Sequence, residues 1–193
     1  MQTFIYMIRH GESPKEGNER TRGLTEKGKL AAERIKNRLK AEGIDVIISS
    51  PYYRSMLTVQ PLADSLGQEV IIFENLRERV FSSDAERISD QALNPLLERS
   101  FADFNFALEG GESNADCQKR AINVLHQLLK TYRGQKVVVG THGAVMTLMM
   151  GYYDSNYDLD FLHRTSKPDI YRMTFDDQKL VGVKRIWEVS SDF

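Results

Sequence analysis

Short apolar segments rich in β-forming residues alternate along this chain of 193 residues with segments that have the hydrophobic spacing of amphipathic helices. The segments that favour strands lie at residues 3–8, 44–48, 70–73, 137–139, 170–175 and 180–187. The segments that favour helices lie at residues 26–42, 52–66, 84–99, 113–132 and 144–150. Strands that alternate with helices predict an α/β fold, in which helices cover both faces of a mainly parallel central sheet. We therefore expect a three-layer α/β/α sandwich.

The last two predicted strands are separated only by Asp176, Asp177 and Gln178, which favours an antiparallel hairpin and hence an antiparallel strand at one edge of the sheet. The stretch 151–168 before this hairpin is expected to be a loop. Pro61 lies inside the second helical segment. Because proline lacks an amide hydrogen and clashes with the preceding turn, we expect a kink or break near this residue.

A chain of this length is typical of one domain with a single core, and neither an internal repeat nor a linker divides it. We expect one domain over residues 1–193. Residues 80–112 have a mixed composition and are interpreted as an insertion that covers the substrate. Phe101, Phe104 and Phe106 lie in this insertion. They either touch an apolar leaving group or pack the insertion onto the domain, and the sequence leaves both readings open.

The overall charge excludes some classes of partner. Twenty-six Lys and Arg residues against 27 Asp and Glu give a formal charge of -1 and a pI near 6.4, so no global field attracts nucleic acid or an anionic membrane. The first residues lack a cationic leader, and no apolar stretch approaches a membrane span, so a cytoplasmic protein is expected. Cys117 is the only cysteine, which rules out an internal disulfide and predicts a small core residue.

Four predicted strands each end next to an ionisable side chain. The first ends at Arg9 and His10, and the next three are followed by Arg54, Glu78 and His142. Because ligands of open parallel sheets bind beyond the carboxyl ends of the strands, we expect these side chains to meet at one edge of the sheet. Two guanidinium groups and two imidazoles form a pocket for a compact anion, and phosphate matches the arginine forks.

The individual residues carry different weight. His10 and His142 each lie directly after a strand and before a glycine, where backbone amides can approach a ligand. Isolated histidines such as His126 and His163 fit ordinary surface or core positions. Glu78 lies in a charged run that also fits a solvated loop.

A series of short motifs carries a family resemblance. The series reads Ile8-Arg9-His10-Gly11-Glu12-Ser13, Gly23-Leu24-Thr25-x-x-Gly28, Ser49-Ser50-Pro51 with Arg54 and Thr58, Leu76-x-Glu78, Gly110-Gly111-Glu112-Ser113 and Thr141-His142-Gly143. In kind and order these motifs resemble those of the histidine phosphatase superfamily, which includes the cofactor-dependent phosphoglycerate mutases and many phosphatases. The resemblance spans residues 4–150 and implies the same α/β/α sandwich.

The resemblance also implies roles for the strand-end residues. His10 is the residue that becomes phosphorylated, Arg9, Arg54 and His142 form the phosphate pocket, and Glu78 is the proton donor. The expected enzyme is a metal-independent phosphatase that acts on a small phosphorylated substrate and uses neither a cofactor nor a metal ion. Because a neutral imidazole must attack phosphorus, the neighbouring arginines are expected to favour the unprotonated form of His10.

The chain departs from the family pattern in the loop after the first strand. Many members carry asparagine six residues after the nucleophilic histidine, and here that position is Glu16. Asn18 lies two residues further on and is retained as a candidate phosphate-binding residue. The loop is also shorter than in the phosphoglycerate mutases. A mutase must exclude water from a bisphosphate whereas a phosphatase must admit it, so the short loop favours hydrolysis.

Three alternatives remain at this stage. They are a phosphoglycerate mutase, a module that binds phosphorylated ligands without turnover, and a metal site built from His10, His142 and Glu78. Arg79 and Arg87 either bind a second phosphate or are solvated. The substrate and the oligomeric state cannot be read from the sequence.

Overall fold

The computed structural model describes residues 1–189. Six strands in this part of the chain form one sheet: β1 (Gln2–Arg9), β2 (Val46–Ser49), β3 (Val70–Ile72), β4 (Lys136–Thr141), β5 (Asp169–Asp176) and β6 (Lys179–Arg185). Their order across the sheet is β3-β2-β4-β1-β5-β6. Strands β1 to β4 are parallel to one another, whereas β5 pairs antiparallel with both β1 and β6. The predicted hairpin thus forms the edge, and its inner strand, β5, is the one that runs against the others.

Helices cover both faces of this sheet, as predicted. They are α1 (Glu26–Leu39), α2 (Tyr53–Leu66), α3 (Asp90–Ala102), α4 (Asn114–Thr131), α5 (Gly143–Tyr153) and α6 (Leu159–Arg164). The alternation of side chains along β1 shows the layering. Ile5 and Met7 join the core beneath α4 and α5, and Tyr6 and Ile8 join the core beneath α1 and α2. The central part of β1, residues 4–8, is therefore apolar because both of its faces are buried.

The helix does not break near residues 57–61, because α2 continues from Tyr53 to Leu66, while the kink that was the other expectation stays a prediction. Proline removes one backbone hydrogen bond, but Val59 and Leu62 on either side of it are fully buried against the sheet. Burial of both flanking turns holds the helix together across the missing bond. The stretch 151–168, predicted as a loop, contains the end of α5 and the whole of α6, whose first turn is capped by Asp158.

The helix predicted from residue 84 begins only at Asp90, after the capping residue Ser89. Residues 85–87 are instead extended along the loop that follows β1. The amide of Glu19 donates to Ala85 O at 2.7 Å, and the amide of Arg87 donates to Gly17 O at 2.9 Å. We call this pairing of residues 17–19 with residues 85–87 the loop bridge. It satisfies backbone groups that a longer helix would have used internally, which is why α3 starts late.

The remainder of the insertion packs on the domain. Phe81 and Leu97 form a small apolar cluster with Ala144 of α5 and Leu162 of α6. The insertion is therefore attached by its own core, next to the start of α5. That the chain is one domain stays a prediction, and residues 190–193 of that domain lie outside the described residues. No helix within residues 1–189 is long and apolar enough to span a membrane.

A close approach of two backbone segments positions the loop after β1. Thr25 caps α1 by accepting from the amide of Gly28, and its own amide donates to Glu12 O at 3.0 Å. A Cβ atom at Gly28 would lie 2.2 Å from the same oxygen. Glycine is thus required where the start of α1 meets the end of the β1 loop, which accounts for the motif that joins Thr25 and Gly28.

Candidate active site

His10 lies just beyond the carboxyl end of β1 and is 6% exposed. Its Nδ1 is 2.7 Å from the carbonyl oxygen of Gly11, which can only accept, so the proton of the neutral ring lies on Nδ1. Nε2 therefore carries the lone pair, and Arg54 Nε donates to it at 3.2 Å. The atom that would attack phosphorus is Nε2.

Burial and positive neighbours keep His10 uncharged. Burial, followed by the charges of Arg54 and Arg9, lowers the pKa of His10 well below 6.5. A proton on Nε2 would leave a second cation against Arg54 in a largely buried position. The ring is accordingly neutral at physiological pH, as expected from its charged neighbours.

Arg54 lies in the first turn of α2 and is 1% exposed. All three of its nitrogens donate: Nε to His10, Nη1 to the backbone oxygen of Glu19, and Nη2 to Glu19 Oε2 at 2.8 Å. The ring of Tyr52 lies 5.0 Å from its guanidinium carbon. Glu19 therefore occupies the fork with which Arg54 could hold a phosphate.

Arg9 is the last residue of β1, and its guanidinium lies against the start of α5. A Cβ atom at Gly143 would lie 2.7 Å from Arg9 Cζ, so glycine at this position makes room for the arginine. Arg9 Nη1 donates to Thr165 Oγ1, and Arg9 Nε has no hydrogen-bond partner within residues 1–189. Arg9 lines the same cavity as His10.

His142 is the capping residue of α5 and is fully buried. Its ring centroid is 5.2 Å from that of His10, and its Nε2 lies 2.7 Å from Ser50 Oγ. Nδ1 has no hydrogen-bond partner among the residues described. His142 lies behind His10 and does not itself line the cavity. Burial, then the charges of Arg54 and His10, lower its pKa well below 6.5.

Glu78 lies at the N-terminus of α5 and lines the cavity. Its Oε1 accepts from the amides of Val145 at 2.9 Å and Arg79 at 2.8 Å, and its Oε2 accepts from the amide of Ala144 at 3.1 Å. These donors fix the carboxyl group beside the cavity. Oε2 accepts only one of these bonds, so it keeps a site at which a proton could be held for a leaving group.

The loop after β1 places the two candidate residues differently. Asn18 lines the cavity, and its Oδ1 accepts from the amides of Arg20 and Thr21, which is a turn-forming contact. Glu16 is exposed and is not among the residues that line the cavity. Of the two, only Asn18 is placed to meet a ligand, and its phosphate-binding role stays a prediction.

The site opens into a cavity of about 750 Å³. One wall is polar and contains His10, Arg9, Arg54 and Glu78. A further part of the lining is apolar and comes from the insertion and α6: Phe81, Ile88, Leu93, Leu97 and Leu162, which we call the apolar wall. The cavity is several times larger than a phosphate group, so a leaving group fits inside it.

The insertion residues left open by the sequence have distinct positions. Phe101, Phe104 and Phe106 do not line this cavity, and Phe101 and Phe104 pack edge to face on each other. Arg79 also lines the cavity, but it is 4% exposed and its Nε donates to Asn114 Oδ1 at 2.9 Å, so it serves to hold the insertion. Arg87 lines the cavity and donates to Asp90 at 2.5 Å.

Sequence analysis missed several contributors. Glu19 gives no signal, because its partner Arg54 is 35 residues away and the loop between strand and helix has no periodicity. Thr165 and Lys167 lie in the stretch that was predicted to be an unstructured loop, yet both line the cavity.

The residues of the metal-site alternative have other partners in the structure. His10 Nε2 faces Arg54, His142 Nε2 faces Ser50, and Glu78 faces the amides of α5. Within the described part of the chain, no three His, Cys, Asp or Glu side chains are grouped so as to hold a metal ion.

Comparisons with protein families, curated proteins and solved structures all lead to phosphatases and phosphoglycerate mutase-like proteins. Residues 5–186 match the model of the histidine phosphatase superfamily, branch 1. Phosphoserine phosphatase 1 of Hydrogenobacter thermophilus is 30% identical over 158 residues, which cover 75% of this chain and 73% of that protein. Phosphoglycerate mutase-like protein 4 of Arabidopsis thaliana is 28% identical over 154 residues, which cover 74% and 67%. A mycobacterial glucosyl-3-phosphoglycerate phosphatase structure shares the fold, with a TM-score of 0.78 at 18% identity, covering 98% of this chain and 100% of that one.

The two buried histidines predict how stability depends on pH. Both have a lowered pKa in the folded state, so below about pH 6.5 the unfolded chain binds protons that the folded chain does not. The free energy of unfolding must then fall as pH falls, by up to about 1.4 kcal/mol per pH unit for each histidine. Urea unfolding between pH 7 and pH 5.5 measures this slope. We expect a shallower slope in His10→Asn and in His142→Asn, with His163→Asn as the control at an exposed position. Equal slopes in all four proteins would contradict the assignment.

The ion pair between Glu19 and Arg54 predicts an effect on phosphate binding. Its carboxylate lies 2.8 Å from Arg54 and opposes a phosphate dianion that needs the same guanidinium. We expect Glu19→Gln to bind inorganic phosphate more tightly, by roughly threefold to tenfold, since one charge at hydrogen-bonding distance is removed. Isothermal titration calorimetry measures the dissociation constant. Glu74→Gln, which removes a carboxylate paired with Arg20, is the matched control. Weaker phosphate binding in Glu19→Gln would mean that Glu19 mainly orients Arg54.

Proposed function

Because the chain belongs to the histidine phosphatase superfamily, branch 1, over residues 5–186, we propose that it is a phosphatase that hydrolyses a small phosphomonoester through a phosphohistidine on His10. The family predicted from the motifs is thereby confirmed. The observation that carries the proposal is the neutral, buried His10, whose Nε2 lone pair lies 3.2 Å from Arg54 Nε at the polar wall of the cavity.

In the first step the phosphate group enters between Arg9, Arg54 and the His10 ring. Arg54 exchanges its bonds to Glu19 and His10 for phosphate oxygens, and the unpartnered Arg9 Nε supplies a further donor. Nε2 then forms a bond to phosphorus while the bond from phosphorus to the ester oxygen breaks. The guanidinium groups stabilise the charge on the nonbridging oxygens.

His142 supports this step from behind His10. If Ser50 donates its hydroxyl proton to His142 Nε2, the proton of the neutral ring lies on Nδ1. Nδ1 is buried and has no partner within residues 1–189, so it is free to donate to a phosphate oxygen once His10 and Arg54 shift on binding. We assign His142 to the phosphate pocket on this basis.

Glu78 acts as the general acid in the first step and as the general base in the second. In its protonated form it gives a proton to the leaving oxygen, and the resulting carboxylate accepts a proton from the water that attacks phosphohistidine. The second step breaks the bond between Nε2 and phosphorus and releases inorganic phosphate. His10 returns to its neutral form, and Glu78 returns to its protonated form.

Hydrolysis is favoured over phosphate transfer between two positions of one substrate. Lys15, Asp84 and Glu86 line the cavity and are exposed, so water has a path to the phosphohistidine. The Hydrogenobacter relative is a phosphatase by name, and the Arabidopsis relative is only mutase-like by name. A binding module without turnover is disfavoured, because it has no need of an imidazole kept neutral beside an arginine.

We propose further that the reaction needs no metal ion and no cofactor. Arg9 and Arg54 supply the positive charge that a metal ion supplies to phosphate in other enzymes. The cytoplasmic location and the single-domain organisation remain predictions from the sequence.

The nucleophile is tested by substitution. We expect His10→Ala to lose at least about a thousandfold in kcat with p-nitrophenyl phosphate, because no other group can form the covalent intermediate. Rapid acid-free quenching of the wild-type protein with a 32P-labelled phosphomonoester should yield an acid-labile label on His10. His126→Ala, which replaces a histidine outside the cavity, is the control. Full activity in His10→Ala would refute the proposal.

The absence of a metal requirement is tested separately. We expect the rate with p-nitrophenyl phosphate to stay within about twofold after dialysis against excess EDTA, since side-chain cations carry the charge. Metal content of the dialysed protein is measured by mass spectrometry. Loss of activity that added Mg²⁺ or Zn²⁺ restores would overturn the metal-independent mechanism and leave the role of His10 to be judged by the labelling experiment.

A further inference from the structure

Lys167 lies between α6 and β5 and lines the cavity. Its side chain makes no hydrogen bond and no ion pair within the part of the chain that the structure describes. Lys15 also lines the cavity and is exposed, whereas several other cations there are paired with carboxylates. Arg22 and Arg54 bind Glu19, and Arg87 binds Asp90. Lys167 is therefore an ammonium group available to a ligand.

The surroundings of Lys167 are mostly positive. The positive charges of Arg9, Arg87 and Arg22 repel the ammonium group of Lys167, and the carboxylate of Asp90 attracts it. Asp90 is already bound by Arg87 at 2.5 Å, which leaves the group short of negative charge. Although Lys167 is partly exposed, loss of solvent around its ammonium group, followed by the charge of Arg9, lowers its pKa to about 8. An anion placed here would relieve this repulsion.

This group of cations comes from elements other than the strand ends. Lys167 precedes β5, and Arg87 belongs to the loop bridge, where its Nη1 donates to the backbone oxygen of Lys15 at 3.0 Å. The phosphate-binding arginines instead come from the end of β1 and the start of α2. The charge of Lys167 nevertheless acts on His10. His10, Arg87 and Lys167 line the same cavity, so one molecule that fills it can reach both places.

We propose that Lys167 and Arg87 form a subsite for a second anionic group, a carboxylate or a second phosphate, carried by the leaving group of the substrate. The subsite rests on the proposed function, since it defines the leaving group of the phosphomonoester that His10 attacks. The cavity of about 750 Å³ has room for both anionic groups of such a molecule. In this subsite the lysine supplies a point charge, and the arginine, which Asp90 holds in place, supplies its remaining N–H groups as donors to the anion.

Matched substrate pairs test this subsite. Phosphoserine carries a carboxylate that phosphoethanolamine lacks. Likewise, 3-phosphoglycerate carries a carboxylate where glycerol 3-phosphate has a hydroxymethyl group. Fructose 1,6-bisphosphate and fructose 6-phosphate differ by one phosphate. For each pair we define the preference as kcat/KM of the more anionic member divided by that of the other. We expect a preference above about tenfold in the wild type for the carboxylate pairs or for the bisphosphate pair, and the arm in which it occurs identifies the anion.

Substitution of Lys167 ties the preference to the residue. Lys167→Met should lower the preference about tenfold to a hundredfold, with a change below about threefold for the less anionic member of each pair. Lys167→Arg should retain most of the preference because it keeps the charge. Lys130→Met, at an exposed position of α4 outside the cavity, is the control for loss of one lysine.

The pH profile gives an independent readout. Lys167 is charged below its pKa of about 8 and loses its charge above it. Since kcat/KM reports the ionisation of the free enzyme, the preference should decline as the pH rises above about 8. In Lys167→Met the preference should not change over this range. Guanidinium groups do not lose their proton in this range, so the arginines whose charges act on Lys167 do not produce such a change.

Two results would overturn the subsite. One is a wild-type preference near unity in every pair. The other is an equal loss for both members of each pair in Lys167→Met, which would mean that Lys167 binds the transferred phosphate. Failure of the proposed function looks different, since the wild type would then hydrolyse neither these substrates nor p-nitrophenyl phosphate. Dissociation constants for phosphoserine and phosphoethanolamine, measured by calorimetry in wild type and Lys167→Met, would still test the subsite in that case.

Discussion

The contact between Arg54 and His10 organises the site. An imidazole that is buried beside two guanidinium groups cannot hold a second proton at neutral pH, and the bond from Nδ1 to Gly11 O leaves the lone pair on Nε2. The nucleophile is thus prepared by its surroundings before any ligand arrives. The same arginines then become the cradle for the phosphate, so one arrangement of charge serves both to activate the nucleophile and to stabilise the transferred group.

The fold makes this arrangement possible at low structural cost. His10 and His142 follow the neighbouring strands β1 and β4, and Arg54 begins the helix after β2, which lies on the other side of β4. Parallel strands of a buried sheet end at the same edge, so three segments distant in sequence converge without any special connection. Glycine at position 143 completes the convergence, because any side chain there would exclude the Arg9 guanidinium.

This convergence is the part of the structure that could be predicted from sequence. Four strands are each followed, directly or within a few residues, by an ionisable side chain, and topology brings those ends together, as the positions of Arg9, His10, Arg54, Glu78 and His142 show. Contacts that depend on loop geometry could not be predicted. Glu19 reaches Arg54 from a loop without periodicity, and the late start of α3 results from backbone pairing between two irregular segments. The continuity of α2 through Pro61 likewise depends on tertiary burial, which overrides local propensity.

The loop bridge joins two parts of the molecule that have separate tasks. On one side it carries Glu19, the counterion of Arg54, and on the other it carries Arg87 and leads into the apolar wall of the cavity. A change in the insertion that reshapes the room for a leaving group is therefore transmitted through two backbone hydrogen bonds to the charge balance at the nucleophile. In this architecture the loop that shapes the substrate cavity also holds the counterion of the catalytic arginine. A redesign that widens the range of accepted compounds must therefore also preserve the position of Glu19 beside Arg54.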